Sequence, residues 1–197
     1  MHHFHLSHRR VNDALTVVVI LFAVYLMGAP FLPQIKWWLN PPKPPVIHHN
    51  ATTTTSKTVK APPIPSDNLL IVPRLGMQEV IHDGPTIAEL RKGVWLVPHT
   101  SQPDKNSNTV IVGHRFTYAG PAVFYFLDKV QVNDQIIIDW HSKEYTYKVT
   151  TIREVEPTEL SVEAPTTTPE LTLYTCTPLW TAKHRLVLIA PLQEVRS

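Results

Sequence analysis

Glu170-Leu171-Thr172-Leu173-Tyr174-Thr175-Cys176-Thr177-Pro178 is the stretch on which the reading of this chain turns. It holds the only cysteine among 197 residues. Glu170 to Thr175 is rich in Thr, Leu and Tyr and free of Gly, the composition of a strand. Pro178 has no amide hydrogen to donate, so the strand is expected to stop there, with Cys176 at its C-terminal tip. A cysteine at such a tip sits where a sheet or barrel opens to solvent. An inert structural cysteine more often lies mid-strand among apolar neighbours.

Working outward, Arg185 opens the apolar, β-branched run Arg185-Leu186-Val187-Leu188-Ile189-Ala190, which Pro191 is expected to stop. Paired as a hairpin, the end of the first strand lies beside the start of the second, and Cys176 and Arg185 become neighbours across one rim. Upstream, Thr109-Val110-Ile111-Val112-Gly113-His114-Arg115 is a third such run and ends in a histidine. Cys, His and Arg, each at a strand end, could supply a nucleophile, a proton carrier and an oxyanion donor. The thiolate is the reactive form of cysteine, and a cation beside the sulfur favours it.

These residues resemble the signature of the sortases, membrane-anchored cysteine transpeptidases of bacterial cell surfaces. The family's T-L-x-T-C matches Thr172 to Cys176, its Arg on the next strand matches Arg185, and its G-H-R matches Gly113-His114-Arg115. In motif order the resemblance spans roughly residues 68 to 192. It implies a closed β-barrel of about eight strands. It also implies acyl transfer from an L-P-x-T-G-like sorting signal, cut between Thr and Gly, to an amine of the cell wall or of a pilin subunit. Cys176 would carry the thioester, His114 would be the general acid/base, Arg185 would stabilise the oxyanion and substrate, and Thr175 would shape the substrate-binding site. No Asp-Pro-aromatic lid motif precedes the barrel region, which leans away from the pilin-building type and towards classes D or E. Some members use calcium in a loop. No EF-hand-like loop appears here, so no cofactor is expected, with calcium left open.

The rest of the chain fits an anchored surface protein. Its length suits one domain with an appendage. The net charge of +2 and the lack of a basic block with interleaved aromatics speak against a nucleic-acid partner. Residues 1–13 form a polar, histidine-rich tail, and Arg9 and Arg10 precede an uncharged run from Ala14 to Leu32. That run is close to the ~20 residues a bilayer-crossing helix needs. Residues 14–33 are therefore expected to be a transmembrane anchor, with Lys36, Trp37 and Trp38 at the far interface. The arginines place the N-terminus in the cytoplasm and the remainder outside. A cleaved signal peptide fits less well, because Met27 stands where a small residue would precede the cut after Ala29. Residues 34–67, with Pro41-Pro42-Lys43-Pro44-Pro45 and Pro62-Pro63-Ile64-Pro65, read as an extended linker. His2, His3, His5, His8, His48 and His49 fall in tail or linker and read as solvated residues, not metal ligands.

From 68 to 197 the composition is globular. Strands are expected at 69–73, 77–81, 94–98 and 109–115, as a hairpin over 134–140 and 144–153, and at the two runs around Cys176 and Arg185. Short helices are expected after Pro85 and over 121–130. Seven or eight short strands with little helix argue an all-β barrel or sandwich.

Five histidines lie in this part: His82, His99, His114, His141 and His184. His184 follows the cysteine closely, but neighbours on a strand face opposite ways, so His184 and Arg185 cannot both face the thiol. Arg115 and Arg153 compete with Arg185 for the cation. Three readings besides the transpeptidase remain open here: a hydrolytic cysteine peptidase on the same barrel, an L,D-transpeptidase, and an anchored non-enzymatic β-domain that binds cell-wall or surface protein. The second expects a His and Gly shortly before the cysteine, which Thr172–Thr175 lacks.

Overall fold

The computed structural model describes residues 8–42 and 68–197. Most of the expected linker and tail lies outside the described residues. Helix α1 (His8–Gly28) passes through a 3-10 turn (Ala29–Phe31) into α2 (Leu32–Leu39). The large apolar side chains from Leu15 to Met27 are exposed. The helical segment Arg10–Leu39, whose most apolar 18-residue window has a mean hydropathy of 2.4, is long and apolar enough to cross a membrane. It runs on to Leu39, past the uncharged run from which the anchor at 14–33 is expected. Pro30 and Pro33 each fall in the first turn of a new helical piece, where a missing amide hydrogen costs nothing.

The second compact unit is built almost entirely of strands. They are β1 (Leu69–Val72), β2 (Met77–His82), β3 (Val94–Leu96), β4 (Asn108–Val112), β5 (Phe116–Thr117), β6 (Gly120–Pro121), β7 (Gln135–Trp140), β8 (Lys143–Lys148), β9 (Thr151–Val155), β10 (Glu170–Thr177) and β11 (His184–Arg196). Neighbours run β1-β2-β3-β4-β10-β11-β8-β7 and back to β1, which closes a barrel of eight strands. The pairs β2/β3 and β4/β10 are parallel and the others antiparallel. Strand β9 continues β8 past a bend at Val149-Thr150 and keeps company with the first half of β11. The all-β barrel is the fold the sequence implied.

Strand β11 does not stop at Pro191 as expected but continues to Arg196. Its 185–189 segment pairs with β9 and its 192–196 segment with β8. Pro191 falls at the changeover, where an absent amide breaks no bond to either. Residues 121–130 are not a regular helix either. They form successive turns with one 3-10 piece, Leu127–Lys129, while still burying Phe124, Tyr125 and Leu127. Between β7 and β8 the two-residue loop is His141-Ser142, with φ of 50° and 62°. That is the left-handed pair a tight hairpin needs, made here without Asn or Gly.

Alternation along β10 sorts its side chains. Leu171 and Leu173 point into the barrel with Leu70, Ile111, Phe124 and Leu188. Each such fully buried side chain contributes about 1.5–3 kcal/mol. Tyr174 instead packs on a second cluster, Trp95, Val97, Val110 and Val112, outside the barrel. Odd positions therefore face in and even positions face out. Cys176 is even. It lies on the outer wall, one residue before the strand ends, and not at an open barrel mouth.

Candidate active site

The hairpin register sets Cys176 directly opposite Arg185, and Thr177 opposite His184. Both Cys176 and Arg185 are half-buried. They border one cavity of about 240 Å³ on the outer wall, together with His114, Thr175, Tyr174 and the apolar side chains of Ile87, Leu90, Trp95 and Val112. The 3-10 turn Ile87–Arg91 forms its upper lip, with Ile87 72% exposed at the mouth. Trp95 is fixed as a wall by its indole N–H, which donates to the Gly84 carbonyl at 2.8 Å.

Each position of the cysteine strand has a separate task. The Thr172 hydroxyl donates to Asn108 Oδ1 at 2.9 Å. Asn108 in turn donates through Nδ2 to the carbonyls of Val162 and Ala164, both at 3.1 Å, tying the 160–164 segment to the parallel β4/β10 pair. Tyr174 supplies a ring to the cavity wall and donates its hydroxyl to Glu163 Oε1 at 2.7 Å. Burial, and then that hydrogen bond, push its phenol far above the usual range, so it stays neutral. The Thr175 hydroxyl donates to the Gly113 carbonyl at 2.8 Å. Thr177 Oγ1 accepts from Arg115 at 3.0 Å.

His114 lies just beyond β4 on a segment held from three sides. The Gly113 amide donates to the Tyr174 carbonyl at 3.4 Å, the Phe124 amide to the His114 carbonyl at 3.0 Å, and the Ala122 amide to the Arg115 carbonyl at 3.2 Å. Gly113 has no room for a side chain: a Cβ there would lie 2.7 Å from Phe124 Cδ2 and 2.8 Å from Val123 Cγ1. The glycine before the histidine is therefore set by packing.

Arg185 is held by its own loop. Its Nη1 donates to the carbonyls of Ala182, at 3.2 Å, and His184, at 3.0 Å. Trp180 and Ala182 in that loop have φ of 77° and 49°, a left-handed backbone that costs a non-glycine residue about 1 kcal/mol or more. Edge packing of Trp180 on Phe116, with ring centroids 4.5 Å apart, joins the loop after the cysteine to the loop after the histidine.

Among the five histidines of the globular part, only His114 borders this cavity. His184 Nδ1 lies 3.2 Å from Glu156 instead, and His141 stacks on Trp140 in the β7/β8 turn. Of the competing arginines, Arg153 pairs with Glu159 at 3.1 Å and Arg115 is buried beside Asp128. Leu90 and His114 also border a wider groove of about 650 Å³, with Glu79, Arg91, Lys92 and Thr117. The walls Ile87, Leu90 and Trp95 were not singled out as site residues from sequence, since they belong to elements far from the cysteine in the chain. Among the described residues, no cluster of three or more His, Cys, Asp or Glu could hold a metal ion.

Comparison with known proteins identifies the family and the fold. The family model described as the sortase domain matches residues 70–193. Sortase SrtE1 of Streptomyces coelicolor is 32% identical over 107 residues, 49% of this chain and 30% of that protein, so the match spans under a third of its length. The crystal structure of sortase E1 from the same organism, with a tripeptide in its active site, is 28% identical with a TM-score of 0.58, covering 66% of this chain and 90% of that one. The sortase D5 transpeptidase of Clostridium perfringens is 27% identical with a TM-score of 0.59, covering 66% and 79%. With a family match over most of its length and a closed barrel that puts Cys176, His114 and Arg185 around one cavity, the chain belongs to the sortase family.

Proposed function

We propose that this chain is a membrane-anchored cysteine transpeptidase acting on secreted proteins that end in an L-P-x-T-G-like sorting signal. The observation that carries the reading is the meeting of Cys176, His114 and Arg185 in one small, largely apolar cavity open to solvent. Cys176 Sγ attacks the carbonyl carbon of the signal's threonine. Arg185 donates to the oxyanion that forms, a contribution typically worth about 3 kcal/mol. The C–N bond to glycine then breaks as His114 gives a proton to the leaving amine. An acceptor amine attacks the resulting thioester, the C–S bond breaks, and the amine's proton returns to the Cys176–His114 pair.

The apolar side chains of Ile87, Leu90, Trp95 and Val112 suit the leucine and proline of the signal, with Thr175 shaping the floor. The wider groove on the other flank of His114 gives an acceptor from the cell wall, or from a pilin subunit, a path to the thioester. Arg9 and Arg10 before the apolar helix support a cytoplasmic N-terminus and a single crossing of the cell membrane, with the barrel outside.

The test uses the full chain in detergent with quenched L-P-x-T-G-like and L-A-x-T-G-like peptides, with and without triglycine, and products identified by mass. Cleavage between Thr and Gly, an amine-ligated product and loss of both in Cys176→Ala are expected. Cleavage with no ligated product for any amine would make the protein a hydrolase. No cleavage, with a Cys176 inert to alkylation, would leave a binding domain.

A further inference from the structure

Arg115 is 6% exposed, a charge at a place where most chains keep apolar residues. Its guanidinium uses all three nitrogens: Nη2 reaches Asp128 Oδ1 at 3.0 Å, Nη1 donates to Thr177 Oγ1 at 3.0 Å, and Nε donates to the Tyr125 carbonyl at 3.4 Å. The Thr177 hydroxyl passes its own hydrogen to Glu154 Oε1 at 3.3 Å. The network joins the segment after β4, the 3-10 turn at Asp128, strand β10 and strand β9.

Stability alone does not explain such a group. A buried ion pair is often matched or bettered by apolar side chains of the same volume. What apolar side chains cannot supply is a planar fork that fixes three segments at defined angles. Arg115 is the residue after His114, and Thr177 is the residue after Cys176. On the other side, Thr175 holds Gly113. The two neighbours of the cysteine thus grip the two neighbours of the histidine. Backbone bonds from the Phe124 and Ala122 amides tie the His114 segment to the turns over 121–130. The Thr175–Gly113 and Arg115–Thr177 contacts tie both of its ends to the cysteine strand itself.

We propose that Arg115, with Thr177 and Asp128, is a positioning residue that sets His114 against the Cys176 thiol. The inference rests on the transpeptidase reading for its purpose, but the thiol–imidazole pairing it describes is tested without a peptide.

The experiment measures the rate of Cys176 alkylation by iodoacetamide in the full chain. Thr177→Val keeps the shape and deletes the hydroxyl, Thr177→Ser restores it, and Arg115→Met deletes the fork. Thermal melting of each variant checks that it is folded. Thr177→Val is expected to slow alkylation about tenfold, as does a small misplacement of a catalytic group. Thr177→Ser should stay within about twofold of the unsubstituted chain. Because the clamp acts through His114, adding Thr177→Val to His114→Ala should slow alkylation no further than His114→Ala alone. With peptide, kcat should fall while KM barely moves.

An unaltered rate in folded Thr177→Val, equal losses for Val and Ser, losses that multiply with His114→Ala, or an indifferent His114→Ala would each overturn the clamp. If Arg115→Met does not fold, the Val and Ser pair still decides. A chain that shows the coupling but cleaves none of these peptides supports the clamp and overturns only the L-P-x-T-G-like specificity of the proposed function.

Discussion

Gly113→Ala is a one-methyl change whose consequence follows from the packing around the histidine segment. The added carbon would sit 2.7 Å from Phe124 Cδ2, 3.0 Å from Phe124 Cε2 and 2.8 Å from Val123 Cγ1. Ordinary carbon–carbon contact is about 3.5–4.0 Å, so close to 1 Å of displacement is required. Phe124 is wholly buried and cannot swing aside. Nor can the strain pass freely to Gly113, whose carbonyl is held by Thr175 and whose amide is held by Tyr174. Forcing a methyl into a filled core costs about 1–3 kcal/mol. For a domain of this size that lowers the melting midpoint by about 3–10 °C.

The same displacement reaches the chemistry, because the Phe124 amide bonds the His114 carbonyl. Moving either partner shifts the imidazole, and a misplacement near 1 Å costs about 10²-fold in rate. The assay is a thermal melt beside peptide turnover, for Gly113→Ala, Phe124→Leu and the double variant. Phe124→Leu vacates the space that the new methyl needs, so the double variant should be more stable than the sum of the single losses allows, and should regain part of the lost turnover. A Gly113→Ala protein with the original midpoint and rate, or strictly additive losses in the double variant, would refute the packing account.

Three further outcomes follow from the geometry. Asn108→Ala leaves the Val162 and Ala164 carbonyls and the Thr172 hydroxyl without their partner. At about 1 kcal/mol or more for each buried group, it should lower the midpoint and speed amide exchange over 160–164. Arg185 Nη1 alone donates to the carbonyls of Ala182 and His184, so Arg185→Lys keeps the charge but leaves a single nitrogen to serve both these carbonyls and the oxyanion. The variant should melt with the original chain yet turn over peptide about 10²-fold more slowly. Asp139 is 3% exposed, its Oδ1 meets no partner, and burial first, then Glu144 opposite, raise its pKa despite Arg196. A carboxyl whose folded pKa lies above the unfolded value favours folding only while protonated, so stability falls as pH rises from the unfolded value through the folded one. Asp139→Asn should therefore melt higher than the original chain at pH 7, with the advantage vanishing at low pH. An advantage independent of pH would count against this origin.

How much of this was legible in the sequence depends on how far each feature reaches along the chain. Strands such as Leu69–Val72 and Gln135–Trp140 announce themselves through local apolar and β-branched runs. The facing of Cys176 and Arg185 follows from the short spacing of one hairpin. The limits of β11 and the turns over 121–130 depart from expectation because a partner strand and a buried aromatic pair decide them, not local propensity. Pro191 is harmless only because β11 changes neighbours there.

The site's supports were hidden for a related reason. Arg115 could be weighed from sequence only as a rival cation for Arg185, since nothing near it announces Asp128 or Thr177 as partners. Yet one signal was present. Strand alternation turns the Thr175 and Thr177 side chains away from the thiol, towards the elements that flank the cysteine strand. In the folded chain they grip Gly113 and Arg115, and the strand presents its thiol outward while its inner face fixes the histidine segment. A barrel built this way has a practical consequence: the outer cavity can be reshaped at Ile87 or Leu90 without disturbing the inner contacts that relate His114 to Cys176. Substitutions there should change which peptide is bound while leaving Cys176 alkylation as it was.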